Sequence, residues 1–353
     1  MRAGSFCRDA GIHERGALIW SGVRAMTRLD LVDIPGTLSS PQDSSPPTIT
    51  LNLVRSLGSV RRHQPEDTVS RTINIRERLP NDVAWIFGIS CTAYTVLSVI
   101  DRGFGVDAHA YWLAWQGPMY TTAPGTPDAY LYSPAFAQVI WPLAQFPWPV
   151  FVTIVIVGVA LLLAWLLRPL TWRWALPLWL AGLPEITSGN IFILMATVAV
   201  LGFRFPLAWA LPALTKIAPT IGPIWFLVRR EWHALLMTII GTVAIALASF
   251  AISPGLWRQW YEFLAHHTAD STGPIGSPFL PPAVLRIPVG VALVIWGAIS
   301  NRRWTVPVSM LLCSPVLWLG SITLLAAIPR LRLSQGQAAL PPARRPPAAH
   351  IRG

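Results

Sequence analysis

The stretch "GVDAHAYW", residues 105–112, sets Asp107, His109 and Tyr111 at alternate positions directly after a long apolar run. A carboxylate there has two readings: a solvated loop acid, or a general base. As a base it must be held within hydrogen-bond reach of the hydroxyl it deprotonates. The aromatic side chains that follow, Trp112, Trp115, Tyr130 and Tyr132, are of the kind that form a platform for a sugar. Asp101 is the alternative acid. Lys216, in "LTKIAPT", is the only lysine; every other basic residue among the 27 Lys and Arg is arginine. An ammonium set in apolar sequence is costly, so it either snorkels to the interface or serves as a functional counter-charge. Glu185 and Asn190 flank a further turn and are candidates to line the same cavity as Asp107. Arg258, His266 and His267 share a segment with Glu262. The two histidines are adjacent, without the i, i+4 spacing of two-point zinc ligation, so no metal site is expected. One of them would orient a phosphate or a hydroxyl, unless both are simply surface residues.

What must position these groups is a membrane bundle. The chain has 353 residues, of which 53% are hydrophobic and 12% charged, with a mean hydropathy of +0.49. A soluble domain carries about a quarter charged residues. The net charge of +11 is what cytoplasmic loops of a polytopic protein accumulate, and no nucleic-acid motif accompanies it. Cys7, Cys91 and Cys313 imply no disulfide framework. The fold expected is all-α and polytopic, with about eight to ten crossings. Clear spans read as 82–100, 149–167, 234–252 and 283–299. Shorter apolar runs at 172–184, 190–203, 205–215, 219–228, 305–314 and 316–328 are rich in Pro and Gly, as legs of tight pairs or halves of broken helices. The segment 133–146 reads as a short helix at the outer surface.

Residues 1–80 lack sustained periodicity and read as a poorly ordered cytoplasmic extension, 81–329 as the transmembrane domain, and 330–353 as a basic, Pro-rich cytoplasmic tail. If every run crosses, Arg168, Arg173, Arg204, Arg229, Arg230, Arg302 and Arg303 fall inside, as the positive-inside rule requires. Asp101, Asp107, Asp128, Glu185, Glu262 and Asp270 then fall outside. Two outer segments, 101–133 and 253–282, are too long and too aromatic to be plain linkers.

The order of five elements resembles glycosyltransferase family 87 of the GT-C superfamily, whose members use polyprenyl-phosphate sugars. These are "DAHAYW", "YLYSPAFAQVIWPLAQFP", "ITSGNIFILMATVAV", "ALTKIAPTIGPIWFLVRREWHAL" and "LLCSPVLWLG". Ser133 stands where the family's tyrosine-proline element usually has proline, and the late turn lacks the usual histidine pair. The resemblance implies a GT-C-like fold and an inverting transferase in the plasma membrane, with its active site on the extracytoplasmic side. Asp107 would be the base. The substrate-binding set would be Lys216, His109, Tyr111, Tyr130, Tyr132, Glu185, Asn190, Arg258, His266 and His267. It further implies a mannose or arabinose donor on a polyprenyl phosphate, a lipid-linked or cell-wall glycan acceptor, and no cofactor. No nucleotide-binding motif appears, consistent with a lipid-linked donor. Broken helices and a lone lysine are also transporter features, so a transporter or flippase for a lipid-linked or small solute is the alternative.

Overall fold

The computed structural model describes residues 66–216, 219–267, 281–314 and 317–338, and among these every regular element is a helix. Most of the proposed extension, all but the last turns before Pro80, lies outside the described residues, as do 268–280 and the end of the tail.

Among the described residues three helices are long and apolar enough to cross a membrane, and they match three of the four clear spans. Helix α1 runs Glu66–Arg102 and contains the span Pro80–Arg102. It begins well before the hydropathy boundary at 82, because its first turns are polar, and polarity hides a helix from an apolar-run reading. Helices α4 (Trp148–Leu167) and α10 (Trp232–Ile252) are the other two. On α10 the apolar residues Leu236, Ile240, Val243 and Leu247 form an exposed stripe. A stripe of that spacing follows one helix face and suits lipid tails rather than water. The fourth expected span appears as a shorter helix, α12 (Ala283–Ile299), whose buried Arg286 donates to the carbonyls of Pro281, Leu312 and Ser314.

Between the long helices the chain folds as short pieces. In order these are α2 (Val106–Leu113), α3 (Pro134–Ala144), α5 (Trp172–Ala181), α6 (Leu183–Ser188) and α7 (Phe192–Leu201). A 3-10 turn (Pro206–Trp209) leads to α8 (Ala210–Thr215) and α9 (Gly222–Val228). Helix α11 (Pro254–His267) follows α10, and α13 (Thr305–Cys313), a 3-10 helix (Leu319–Ala327) and α14 (Ile328–Ala338) close the chain. Proline sits near the start of α3, α4, α6 and α9, where its missing N–H costs nothing.

Helix α7 is the centre. Its sequence "FILMATVAVL" is apolar on every side, and Phe192, Ile193, Met195, Ala196, Val198 and Ala199 are all buried. It packs against α4, α8 and both 3-10 helices. The two segments expected as outer loops each contain a helix, α2 in one and α11 in the other. Phe263 of α11 is buried against Tyr120, and the Trp260 indole donates to the Leu131 carbonyl at 3.3 Å, so α11 lies on the 116–132 segment.

Candidate active site

Asp107 stands in the first turn of α2, and two glycines fix where that turn lies. Gly105, at φ +76°, starts α2, and its N–H donates to the Thr187 carbonyl at 2.7 Å. Gly189, at φ +71°, ends α6, and a Cβ there would lie 2.6 Å from Cβ of Ala108. Both positions use the left-handed conformation that side chains disfavour, and the second also needs the missing Cβ for close approach. The start of α2 is thereby clamped onto the end of α6, and Asp107 meets the residue that follows Gly189.

That residue is Asn190. Its amide donates to Asp107 Oδ2 at 3.1 Å, while its Oδ1 accepts from the Ile191 N–H at 2.7 Å and from Lys216 Nζ at 3.4 Å. Asn190 therefore joins the carboxylate to the ammonium. Lys216, at the end of α8, lies over the Phe192 ring at 3.8 Å and faces the Tyr132 ring at 6.0 Å. No carboxylate among the described residues is within ion-pair distance of it. Tyr111, one turn beyond Asp107, shares a 3.3 Å hydroxyl contact with Tyr132. Asp107, Tyr132 and Lys216 are partly exposed, whereas Tyr111, Asn190 and Glu185 are buried behind them. The cluster thus has an open side that carries one acid, one phenol and one ammonium.

Burial raises the Asp107 carboxyl above the usual aspartate range, opposed by the Ser188 hydroxyl, the Lys216 charge and the Asn190 amide. A carboxylate so placed is a better proton acceptor than a solvated one. Burial also pushes the Tyr111 and Tyr132 hydroxyls up, so both remain donors near neutral pH.

Five sequence elements meet here. Ser133, at the departure from the tyrosine-proline pattern, donates from Oγ to the Leu214 carbonyl at 2.5 Å and so ties the tyrosine element to the lysine element. The late element reaches the cluster through Gly320, where a Cβ would overlap Oε2 of Glu185. Glu185 was expected to line a cavity, but it is fully buried beneath the cluster. Tyr130 is likewise a core residue, 2% exposed, with its hydroxyl on the Ser133 carbonyl.

The remaining candidates lie apart. His109 points to Asp128, with Nδ1 2.7 Å from Oδ1, and packs against Trp112 and Trp148. Trp112 of α2 donates to the Phe146 carbonyl just past α3, and Trp115, just past α2, donates to the Ala137 carbonyl in α3. His266 and His267 bond through Nδ1 to the carbonyls of Glu262 and Phe263 in their own helix, and Arg258 is exposed. Asp101 is exposed beside Arg102. No group of three or more potential metal-ligating side chains occurs among the described residues. A half-open cavity of about 200 Å³ lies further along α2, lined by Leu113, Gln116, Met119, Asp128 and Tyr130, and contains none of the clustered polar groups. Ser188 and Phe192 were not singled out from the sequence, although each lies inside a quoted element.

Residues 130–341, more than half of the chain, match the model of glycosyltransferase family 87. Asp107 precedes the matched stretch, whereas Asn190, Lys216 and Gly320 lie within it. No curated protein and no solved structure matches the chain.

Proposed function

The chain belongs to glycosyltransferase family 87, and from that premise we propose that it moves mannose or arabinose from a polyprenyl-phosphate donor to a lipid-linked or cell-envelope glycan. It is a membrane protein and a glycosyltransferase. In the proposed reading the bundle has about eight to ten crossings, both termini are cytoplasmic and the reaction takes place on the extracytoplasmic side of the plasma membrane. Asp107 removes the acceptor hydroxyl proton as that oxygen attacks the anomeric carbon. The bond from that carbon to the phosphate oxygen breaks, and the polyprenyl phosphate leaves with its added charge offset by Lys216. A single base and a direct displacement give inversion. The tyrosine pair supplies hydroxyl donors at the rim.

The observation that carries this reading is the bridge through Asn190. One amide holds a carboxylate and an ammonium, with no competing ion pair among the described residues, on the open side of the cluster. That is the arrangement a displacement at a phosphorylated sugar requires: a base for the incoming oxygen and a cation for the departing one. The test is transfer of radiolabelled sugar from polyprenyl-phosphate mannose, and separately from the arabinose donor, in membranes holding wild type or Asp107→Ala at equal expression. Label should enter a glycan or glycolipid with wild type from one donor and be lost with the variant. Equal labelling by both proteins removes Asp107 from the mechanism.

A further inference from the structure

Among the described residues, Glu185 is the one acid wholly removed from solvent. Its Oε1 accepts the Phe192 N–H at 3.0 Å, and its Oε2 is buried with no hydrogen-bond partner against the backbone of Gly320. An ionised carboxylate with a bare buried oxygen costs several kcal/mol unless a charge or a proton compensates it. The ionisable groups facing it are Lys216 and Asp107, with the phenols of Tyr111 and Tyr132 beside them. Among the described residues, the other elements packed on α6 bring no compensating charge. On α1, Asp101 and Arg102 pair with each other at an exposed end, Arg173 is exposed at the far end of α5, and α4 and the 3-10 helix Leu319–Ala327 carry no ionisable side chain.

The charges of this group cannot all be satisfied at once. With both carboxylates ionised, two negative charges face the one ammonium and weaken the field it offers a ligand, although neither is within ion-pair distance of it. A donor phosphate arriving there adds a third anion to one cation. If Glu185 carries a proton on Oε2, the bare oxygen becomes a neutral hydroxyl and Lys216 is left to face the phosphate. We propose that donor binding is coupled to protonation of Glu185, which acts as a positioning residue by setting the charge available at Lys216 and does not touch substrate. The proton comes from solvent as the donor binds and returns to it when the polyprenyl phosphate leaves. This inference rests on the reading of Lys216 as the phosphate counter-ion.

The experiment measures binding of a non-transferable phosphodiester, the methyl ester of decaprenyl phosphate, to the full chain in lipid nanodiscs across a pH series. Its phosphate keeps one charge near neutrality. In wild type, Kd should weaken by about tenfold per pH unit above a midpoint, the slope of a one-proton linkage. The slope should persist in Asp107→Asn and vanish in Glu185→Gln. A slope kept in Glu185→Gln, or a flat profile in wild type that nonetheless binds, overturns the coupling alone. Absence of binding at every pH overturns the donor reading and this inference with it. If Glu185→Gln fails to fold, calorimetry of wild type in two buffers of different ionisation heat decides the matter. Above the midpoint it should read close to one proton taken up per donor, and no uptake overturns the proposal.

Discussion

Replacing Lys216 by methionine removes the ammonium while keeping an unbranched side chain over the Phe192 ring. In the folded protein Lys216 has a 3.4 Å hydrogen bond to Asn190 and no carboxylate partner within ion-pair distance among the described residues. A phosphate oxygen about 4 Å away, at an effective dielectric of about 20, would gain about 4 kcal/mol from that charge. Part of this repays water stripped from the phosphate, leaving about 2–4 kcal/mol, or roughly 30- to 1,000-fold. The loss should fall mainly on kcat, because negative charge on the phosphate grows as the sugar departs. Stability should move the other way or not at all, since a partly buried ammonium is costly to fold around. The assay is single-turnover sugar transfer in nanodiscs, with thermal unfolding of the same samples. Transfer within about threefold of wild type would refute the role of Lys216, since so small a change is under 1 kcal/mol. A large drop in Tm that matches the loss of activity would make Lys216 a structural residue instead.

Further outcomes follow from the same geometry. Burial raises the Asp107 carboxyl, so its basic form is lost as pH falls through that raised value, and the acidic limb of the kcat/KM profile should lie above the ~3.9 of an ordinary aspartate. Asp107→Asn should lower kcat by about 10²–10⁴-fold and abolish that limb without weakening donor binding, as measured by equilibrium binding beside the rate. Gly320→Ala would drive a methyl into Oε2 of Glu185 and should destabilise the chain by about 1–3 kcal/mol in thermal unfolding. In the background of Glu185→Ala the same change should cost much less, because the atom it strikes is gone.

The sequence makes the long spans legible because lipid demands uninterrupted apolar turns, and α4 and α10 start and end within two residues of where hydropathy sets them. Asp107, Asn190 and Lys216 were legible through residue type, as polar groups at the ends of apolar runs. Their convergence was not, since 83 residues separate Asp107 from Asn190 and what joins them is backbone: the Gly105 N–H on the Thr187 carbonyl and the close approach of Gly189 to Ala108. Glu185 illustrates the limit best. Its type and position mark it as a candidate to line the cavity, but its burial involves Gly320, which lies in another element and offers no side chain to notice. For His266 and His267 residue type suggested a role in orienting a phosphate or hydroxyl, and in the structure Nδ1 of each ring bonds a carbonyl one helical turn back. Helix α2 was hidden because its eight residues are too few to establish a period.

The use of a single lysine in a chain otherwise basic through arginine has a physical reason in this geometry. Arginines here lie over aromatic rings: Arg330 over Trp165 at 3.8 Å, Arg302 over Trp296 at 5.1 Å and Arg332 over Trp304 at 5.5 Å. A flat, weakly hydrated guanidinium suits such stacking. At position 216 the charge must sit between the Phe192 ring, the Asn190 oxygen and the Tyr132 ring, and still turn toward a ligand on the open side. A compact ammonium with three rotatable donors does this, and its charge responds to a neighbouring carboxyl in a way that arginine, always protonated, cannot. Burial lowers the Lys216 ammonium, and Glu185 and Asp107 raise it again. The site therefore has a cation whose charge depends on two acids in different surroundings, one facing the open side and one sealed behind it. Two carboxyls separated in this way can take different tasks at one pH: in the proposed reading Asp107 accepts a proton from the acceptor, and Glu185 governs the charge that meets the phosphate.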